Sequence, residues 1–312
     1  MARVLATGDK APGGIRKVLR KVLILTLKFA VSGGLLWLVL RRAGLQRVLN
    51  TVKSMDPWFF LAATALYILG TFVSIFRWRL FLTARLAAKK LFSLYMLGSF
   101  FNTFLPGMIG GDAVKGYYLY KETGGMAEAM ASIFMDRYLG FAALMLIAFL
   151  AYPVGFPYLE GKGLAWLIPV IFASFVVLSL LFFKLRLGKR IKLLADFYGY
   201  FGVYTKQTIF KGMLISLAVQ CISNILVYVL SLGFGLNVSL PLFFVFVPLI
   251  TTFSSIPLSI SGLGIREAAF VLLFGSVGVP PQTATALSFA LFLSTAAGSL
   301  PGLYAYLKMK KS

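Results

Sequence analysis

Apolar positions along this chain come in long runs cut by short polar stretches. Uncharged or nearly uncharged runs fall at about 22–40, 58–76, 138–152, 163–183, 212–232 and 283–307. A helix needs about 20 apolar residues to cross a bilayer, so these runs read as spans. The run at 138–152 is short. Its helix is expected to begin near Met126, which draws Asp136 and Arg137 into the membrane. Asp56 before Pro57 reads as an N-cap followed by proline at the first helical position.

Two further apolar pieces, 91–120 and 241–275, are broken near their middles. The first break is Leu105-Pro106-Gly107-Met108-Ile109-Gly110-Gly111-Asp112-Ala113-Val114-Lys115. The second, 151 residues later, is Ile256-Pro257-Leu258-Ser259-Ile260-Ser261-Gly262-Leu263-Gly264-Ile265-Arg266. Aligned without gaps they share Pro, Ile and Gly and end on a basic residue. Proline lacks an amide donor and glycine costs backbone entropy, so Pro106 and Pro257 are the expected helix-breaking positions. Each arm is too short to cross comfortably, and two re-entrant helical hairpins are expected. A bilayer tolerates such breaks only where protein or a water-filled cavity satisfies the freed backbone groups.

Composition agrees with this reading: 60% of residues are hydrophobic and mean hydropathy is +0.90. Between Lys211 and Lys308 the only charged residues are Arg266 and Glu267. The expected fold is an all-α polytopic membrane protein with about six full transmembrane helices plus two re-entrant hairpins, eight apolar segments in all.

The 31 Lys and Arg against nine Asp and Glu orient these segments. Basic residues mark cytoplasmic loops. The N-terminal segment 1–21, segments 77–90 and 184–211, and the tail with Lys308, Lys310 and Lys311 are therefore expected in the cytoplasm. Residues 189–210 suit an amphipathic helix on that face. The nearly uncharged segments 153–162, 233–240 and 276–282 are expected outside. Segment 41–57, with Arg41, Arg42, Arg47 and Lys53, falls outside in this scheme despite its charge. A first repeat, 22–152, and a second, 163–307, would each hold three crossings and one hairpin. An odd number of crossings inverts the second repeat, as in many secondary transporters. The expected location is the plasma membrane, with both termini cytoplasmic.

The basic residues are scattered among loops, which argues against nucleic acid as a partner. There is no histidine, the commonest general base and metal ligand. No enzymatic activity, metal or other cofactor is expected. Cys221, the single cysteine, lies in an apolar run and reads as a small packing residue.

Ionisable residues inside a membrane are functional candidates by default. Here they are Asp112 and Lys115, Asp136 and Arg137, and Arg266 and Glu267. Asp136 and Arg137 are expected to form an intramembrane ion pair. Lys115 and Arg266 close the two broken motifs, and together they suit a phosphate. Arginine would grip it through its planar fork, lysine as a point charge. Backbone amides exposed at Gly110, Gly111 and Gly262 would add donors. Asp112 and Glu267 would pair with an ammonium group or carry a proton.

Three stretches carry a resemblance. Asn102-Thr103-Phe104-Leu105-Pro106-Gly107 running into Gly110-Gly111-Asp112, then Met135-Asp136-Arg137-Tyr138-Leu139-Gly140, then Ser261-Gly262-Leu263-Gly264-Ile265-Arg266-Glu267-Ala268, resemble the flippase-like family. This family is also described as the membrane region of lysylphosphatidylglycerol synthases. The resemblance runs from about residue 20 to 308 and adds Asn102 and Ser261 to the expected substrate-binding residues. It implies a lipid-translocating membrane domain. In the synthases a soluble aminoacyl-transferring domain follows, and aminoacyl transfer is not expected of this chain. Many relatives carry Arg where this sequence has Lys115, which keeps the charge and loses the fork.

The expected function is a transporter, or flippase, that moves a lipid with an anionic or zwitterionic phosphate headgroup between leaflets by alternating access of two inverted repeats. The expected partner is a membrane phospholipid or a polyprenyl-phosphate-type lipid. A second copy of the chain, or a separate lipid-modifying enzyme, is the protein partner considered. Two other functions fit the same residues: a membrane-embedded transferase acting on a lipid-linked substrate, and a secondary transporter for ions or small solutes.

Overall fold

The computed structural model describes residues 12–104, 110–185, 192–256, 259 and 262–311, and every regular element among them is an α-helix. The first half comprises α1 (Pro12–Ala43), α2 (Leu45–Lys53), α3 (Pro57–Arg79), α4 (Ala88–Phe104), α5 (Gly110–Thr123) and α6 (Met126–Glu160). The second comprises α7 (Leu167–Leu185), α8 (Lys192–Phe201), α9 (Lys206–Gly233), α10 (Leu240–Ser255), α11 (Ile265–Gly275), α12 (Pro281–Ser299) and α13 (Pro301–Lys311). Among the described residues, five stretches are long and apolar enough to cross a membrane: α3, α6, most of α7, α9, and α12 running on into α13. The protein is a polytopic α-helical membrane protein.

Local chemistry sets several helix starts. The Asp56 carboxylate accepts the amide of Trp58 at 3.0 Å, with Pro57 at the first helical position of α3. Thr205 caps α9 by accepting the Thr208 amide at 3.1 Å. At α11 the cap residue is Gly264, in the left-handed region at φ 84°, and Glu267 reaches back to its amide at 2.6 Å. That is the half of a capping box that a glycine cap can make.

At the centre α3 runs along α9, with α12 against α3 and α6 against α9. The helix–break–helix pairs α4/α5 and α10/α11 each pack their two arms together. Phe243 and Phe246 of α10 and Phe270 and Phe274 of α11 are fully buried, and the last two stack with centroids 5.5 Å apart. Without a hydrophobic drive between helices in lipid, small residues decide how closely they approach. A Cβ at Gly111 would stand 2.0 Å from the Gly98 carbonyl oxygen, and one at Gly302 2.1 Å from that of Met96. These glycines place the backbones of α5 and α13 directly on α4.

Helix α6 begins at Met126 and carries Asp136 and Arg137 within its apolar length. Near its start, the Glu128 carboxylate holds the turn after α3, accepting the amides of Thr83 and Ala84, both at 2.9 Å. Beside it, burial together with the Glu128 charge pushes the Tyr204 phenol pKa upward. The basic segment 41–57 forms the end of α1 and all of α2, whose Val48 is buried against Ala43 and Ala286. The Asp56 amide donates to the Gly233 carbonyl at 3.2 Å. The segment therefore sits at the same end of the molecule as 233–240, its charge notwithstanding. Arg77 corrects the sequence reading. It was expected in a cytoplasmic loop, but α3 continues through it and leaves it 5% exposed.

Candidate functional site

A cavity of about 270 Å³ opens between α3, α4, α5, α6, α9 and α12. Helix α3 contributes Tyr67, Gly70, Thr71 and Ser74 to its wall, positions spaced three or four apart and hence on one face. Helix α4 contributes Tyr95, Ser99, Asn102 and Thr103, and α5 contributes Asp112 and Lys115. Arg137, Ser223 and Thr295 come from α6, α9 and α12.

Five charged residues, of which Asp112, Lys115 and Arg137 line the cavity, form one alternating chain. Arg77 Nε lies 2.7 Å from Asp136 Oδ1, and Lys115 Nζ lies 3.5 Å from Asp136 Oδ2. Lys115 also lies 4.0 Å from Asp112 Oδ1. Arg137 then grips Asp112 with two donors, Nε to Oδ2 at 2.7 Å and Nη2 to Oδ1 at 3.0 Å. Such a fork-on-carboxylate contact is among the stronger charge-assisted hydrogen bonds. Burial in a low-dielectric medium is costly for each of these charges, and their mutual contacts offset it.

The two ends of the chain differ. Arg77 is buried and donates Nη1 to Ser216 at 3.2 Å. Arg137 keeps 51% of its side-chain surface accessible, although it lies inside the helical body, because it faces the cavity. Lys115 keeps only 3%. Its ammonium sits 4.5 Å from the centroid of Trp78 and 4.4 Å from that of Tyr95, both within cation–π range. The Tyr95 hydroxyl donates to Asp136 at 3.2 Å. Asn102 fastens α4 to the start of α5, accepting the Gly111 amide at 3.0 Å and donating towards Asp112 at 3.5 Å.

The second motif makes a separate cluster. Glu267 is fully buried; besides the Gly264 amide it accepts from Arg266 Nη2 at 2.7 Å and from the Ser288 hydroxyl at 2.9 Å. Arg266 also donates to Ser288 at 2.9 Å and lies over the Phe292 ring. Gly262, at φ 76°, has no room for a Cβ, which would stand 2.9 Å from that of Ser254.

Of the residues expected from sequence, Asn102, Asp112, Lys115 and Arg137 line the cavity, with Asp136 directly behind Lys115. Gly110 and Gly111 open α5 beside it. Arg266, Glu267 and Gly262 do not line it, so Lys115 and Arg266 are not brought together there. Asp136 and Arg137 do not pair with each other: the first bonds to Arg77 of α3 and the second to Asp112 of α5. Pro106, Pro257 and Ser261 lie outside the described residues. Arg77, Tyr95 and the hydroxyls of α3 were not foreseen. The signal for them was the run Tyr67, Thr71, Ser74, Arg77 and Trp78, a polar and aromatic face on an apolar span.

Comparison with known proteins bears on this site. The family described as the lysylphosphatidylglycerol synthase transmembrane region matches residues 25–302. A UPF0104 membrane protein of Methanocaldococcus jannaschii is 26% identical over 161 residues, which are 48% of this chain and 46% of that protein. The chain thus spans about half the length of the curated relative it matches.

Proposed function

The chain belongs to the family of the lysylphosphatidylglycerol synthase transmembrane region, and from that premise we propose that it moves a lipid with a phosphate headgroup between leaflets. The observation that carries this reading is Arg137, a guanidinium inside the helical body that lines the cavity and keeps half of its side-chain surface accessible. The five-charge chain has three cations and two carboxylates, so it retains one positive charge for an anionic ligand.

The lipid is a membrane phospholipid or a polyprenyl-phosphate-type lipid whose headgroup enters the cavity while its tail stays in the bilayer. Alternating access is supported by the way contacts repeat. Helices α3, α4/α5 and α6 follow the same order as α9, α10/α11 and α12, and the contact of α12 on α3 mirrors that of α6 on α9. Rocking of one such unit against the other is the usual action of inverted repeats. We propose a plasma-membrane location with cytoplasmic termini, on the basic bias of 79–90 and the C-terminal tail.

Transport is favoured over group transfer because the cavity's acids are engaged. Asp112 and Asp136 each hold two donors, which leaves neither as a general base. The test is purified protein in liposomes carrying a fluorescent phosphate lipid in one leaflet and a neutral diacyl lipid as comparison. The phosphate lipid should cross faster, and Arg137→Gln should slow it by about tenfold or more. Equal rates for both lipids would remove the phosphate-lipid reading.

A further inference from the structure

We propose that the cavity selects a phosphodiester lipid whose distal headgroup is uncharged and hydroxylated, and disfavours one that bears an amine. The inference rests on the reading of this cavity as a headgroup site. It departs from the amine-tolerant site expected from the sequence, where Asp112 and Glu267 stood ready for an ammonium group.

The first ground is charge. Arg77, Lys115 and Arg137 against Asp112 and Asp136 leave +1, since 3 − 2 = 1. A phosphodiester carries one negative charge and brings the site to neutrality. A phosphomonoester, with about −1.5 to −2, overshoots. Each ammonium on the headgroup restores an unbalanced positive charge in a poorly solvated space.

The second ground is that no carboxylate is free to meet an ammonium. Asp112 gives both oxygens to Arg137 and takes a third contact from Asn102. Asp136 gives one oxygen to Arg77 and the other to Tyr95 and Lys115. Glu267 is enclosed with Arg266, Ser288 and the Gly264 amide, away from the cavity. Turning any of these acids towards a headgroup amine strips a cation of its partner, the costly step in breaking a buried pair.

The third ground is the hydroxyl lining. Thr71, Ser74, Thr103 and Ser223 each donate to the carbonyl four residues back, and Thr295 to the one three back. Their protons are committed to their own helices, so these oxygens serve as acceptors. Tyr67 and Tyr95 share those of Thr71, Thr103 and Ser74, and Ser223 and Thr295 offer their lone pairs to the cavity. Headgroup hydroxyls can donate to those lone pairs without adding charge, as a glycerol or inositol group does.

The test measures binding and movement separately. Purified protein in detergent is titrated with phosphatidylglycerol, its lysyl ester, phosphatidylethanolamine and phosphatidic acid, and binding is followed by native mass spectrometry. Phosphatidylglycerol should bind about tenfold or more tighter than phosphatidylethanolamine, whose headgroup adds one ammonium, and tighter still than the lysyl ester, which adds two. Ser99→Asp, which places a carboxylate on the wall, should narrow or reverse that ratio. Thr295→Glu, on the α12 part of the wall, serves the same purpose where the first variant does not fold. Equal or tighter binding of the lysyl ester by the unaltered protein overturns the inference. So does a ratio unmoved in a folded acidic variant. The same lipids are then followed in liposomes. Selective binding with no crossing leaves the selectivity standing and removes transport. Crossing at equal rates with unselective binding leaves transport standing and removes the selectivity.

Discussion

Gly140 and Arg77 meet where α6 crosses α3: a Cβ at Gly140 would stand 3.1 Å from Nη1 of the guanidinium. Arg77 has little freedom to retreat, because Asp136 holds its Nε at 2.7 Å and Ser216 its Nη1 at 3.2 Å. The absence of a side chain at Gly140 is thus part of how a buried arginine is seated. On the neighbouring helix, Gln220 donates to the Gly140 carbonyl at 2.8 Å and closes the same corner.

Gly140→Ala should destabilise the protein by about 1–3 kcal/mol, the usual cost of overpacking a filled site. Thermal unfolding of the purified variant in detergent checks this. A variant as stable as the parent would mean that Arg77 shifts freely and is not pinned by Asp136 and Ser216.

The two terminal arginines of the charge chain should respond differently to loss of charge. Arg77→Gln leaves Asp136 buried with the Tyr95 hydroxyl and the more distant Lys115 and should cost about 3–5 kcal/mol, seen as little folded protein in the membrane. Arg137→Gln should leave more folded protein but no transport, because Arg137 faces the cavity. Adding Asp112→Asn to Arg137→Gln should restore stability and leave transport absent. Recovery of transport in the double variant would show that Arg137 serves only Asp112.

The hairpin of α4 and α5 depends on backbone contact. Gly111→Ala would set a Cβ 2.0 Å from the Gly98 oxygen and 2.5 Å from the Asn102 nitrogen, both rigid backbone atoms. Membrane yield should fall to background. Gly33→Ala, where nothing lies within 4 Å, should stay within about 1 kcal/mol of the parent. Similar yields for the two variants would mean that α4 and α5 separate at little cost.

Topology is open to single-cysteine labelling in a chain lacking Cys221. Cysteines at exposed Gln46 and Gly278 should label from outside, and one at exposed Ala88 from the cytoplasm. Labelling of Gly278 and Ala88 from the same face would end the inverted-repeat proposal. Labelling of Gln46 with Ala88 would detach α2 from the end of the molecule that holds Gly233.

The helical membrane fold was legible because hydropathy and charge act over whole segments. Runs such as 58–76 and 212–232 announce themselves, and so do Pro and Gly at two matching breaks. What stayed hidden depends on direction. Asp136 and Arg137 are neighbours in sequence, but consecutive helical side chains point about 100° apart, so Asp136 finds Arg77 and Arg137 finds Asp112. Arg77 lies close to Arg79 and Arg85, and a count of basic residues near a span end takes all three for loop. Only the polar face that begins at Tyr67 sets it apart. Lys115 and Arg266 occupy equivalent motif positions and meet the corresponding helices α6 and α12, yet Lys115 finds the Asp136 carboxylate there and Arg266 the Ser288 hydroxyl, its carboxylate being the adjacent Glu267.

The alternation of charge from Arg77 to Arg137 has a dynamic consequence. Were Asp112 to let go of Arg137, the nearest cation for that carboxylate would be Lys115, already 4.0 Å away. Lys115 drawn towards Asp112 loosens its hold on Asp136, which then leans more heavily on Arg77. A change at the α6 end would therefore reach α3 as an exchange of partners along the chain of charges.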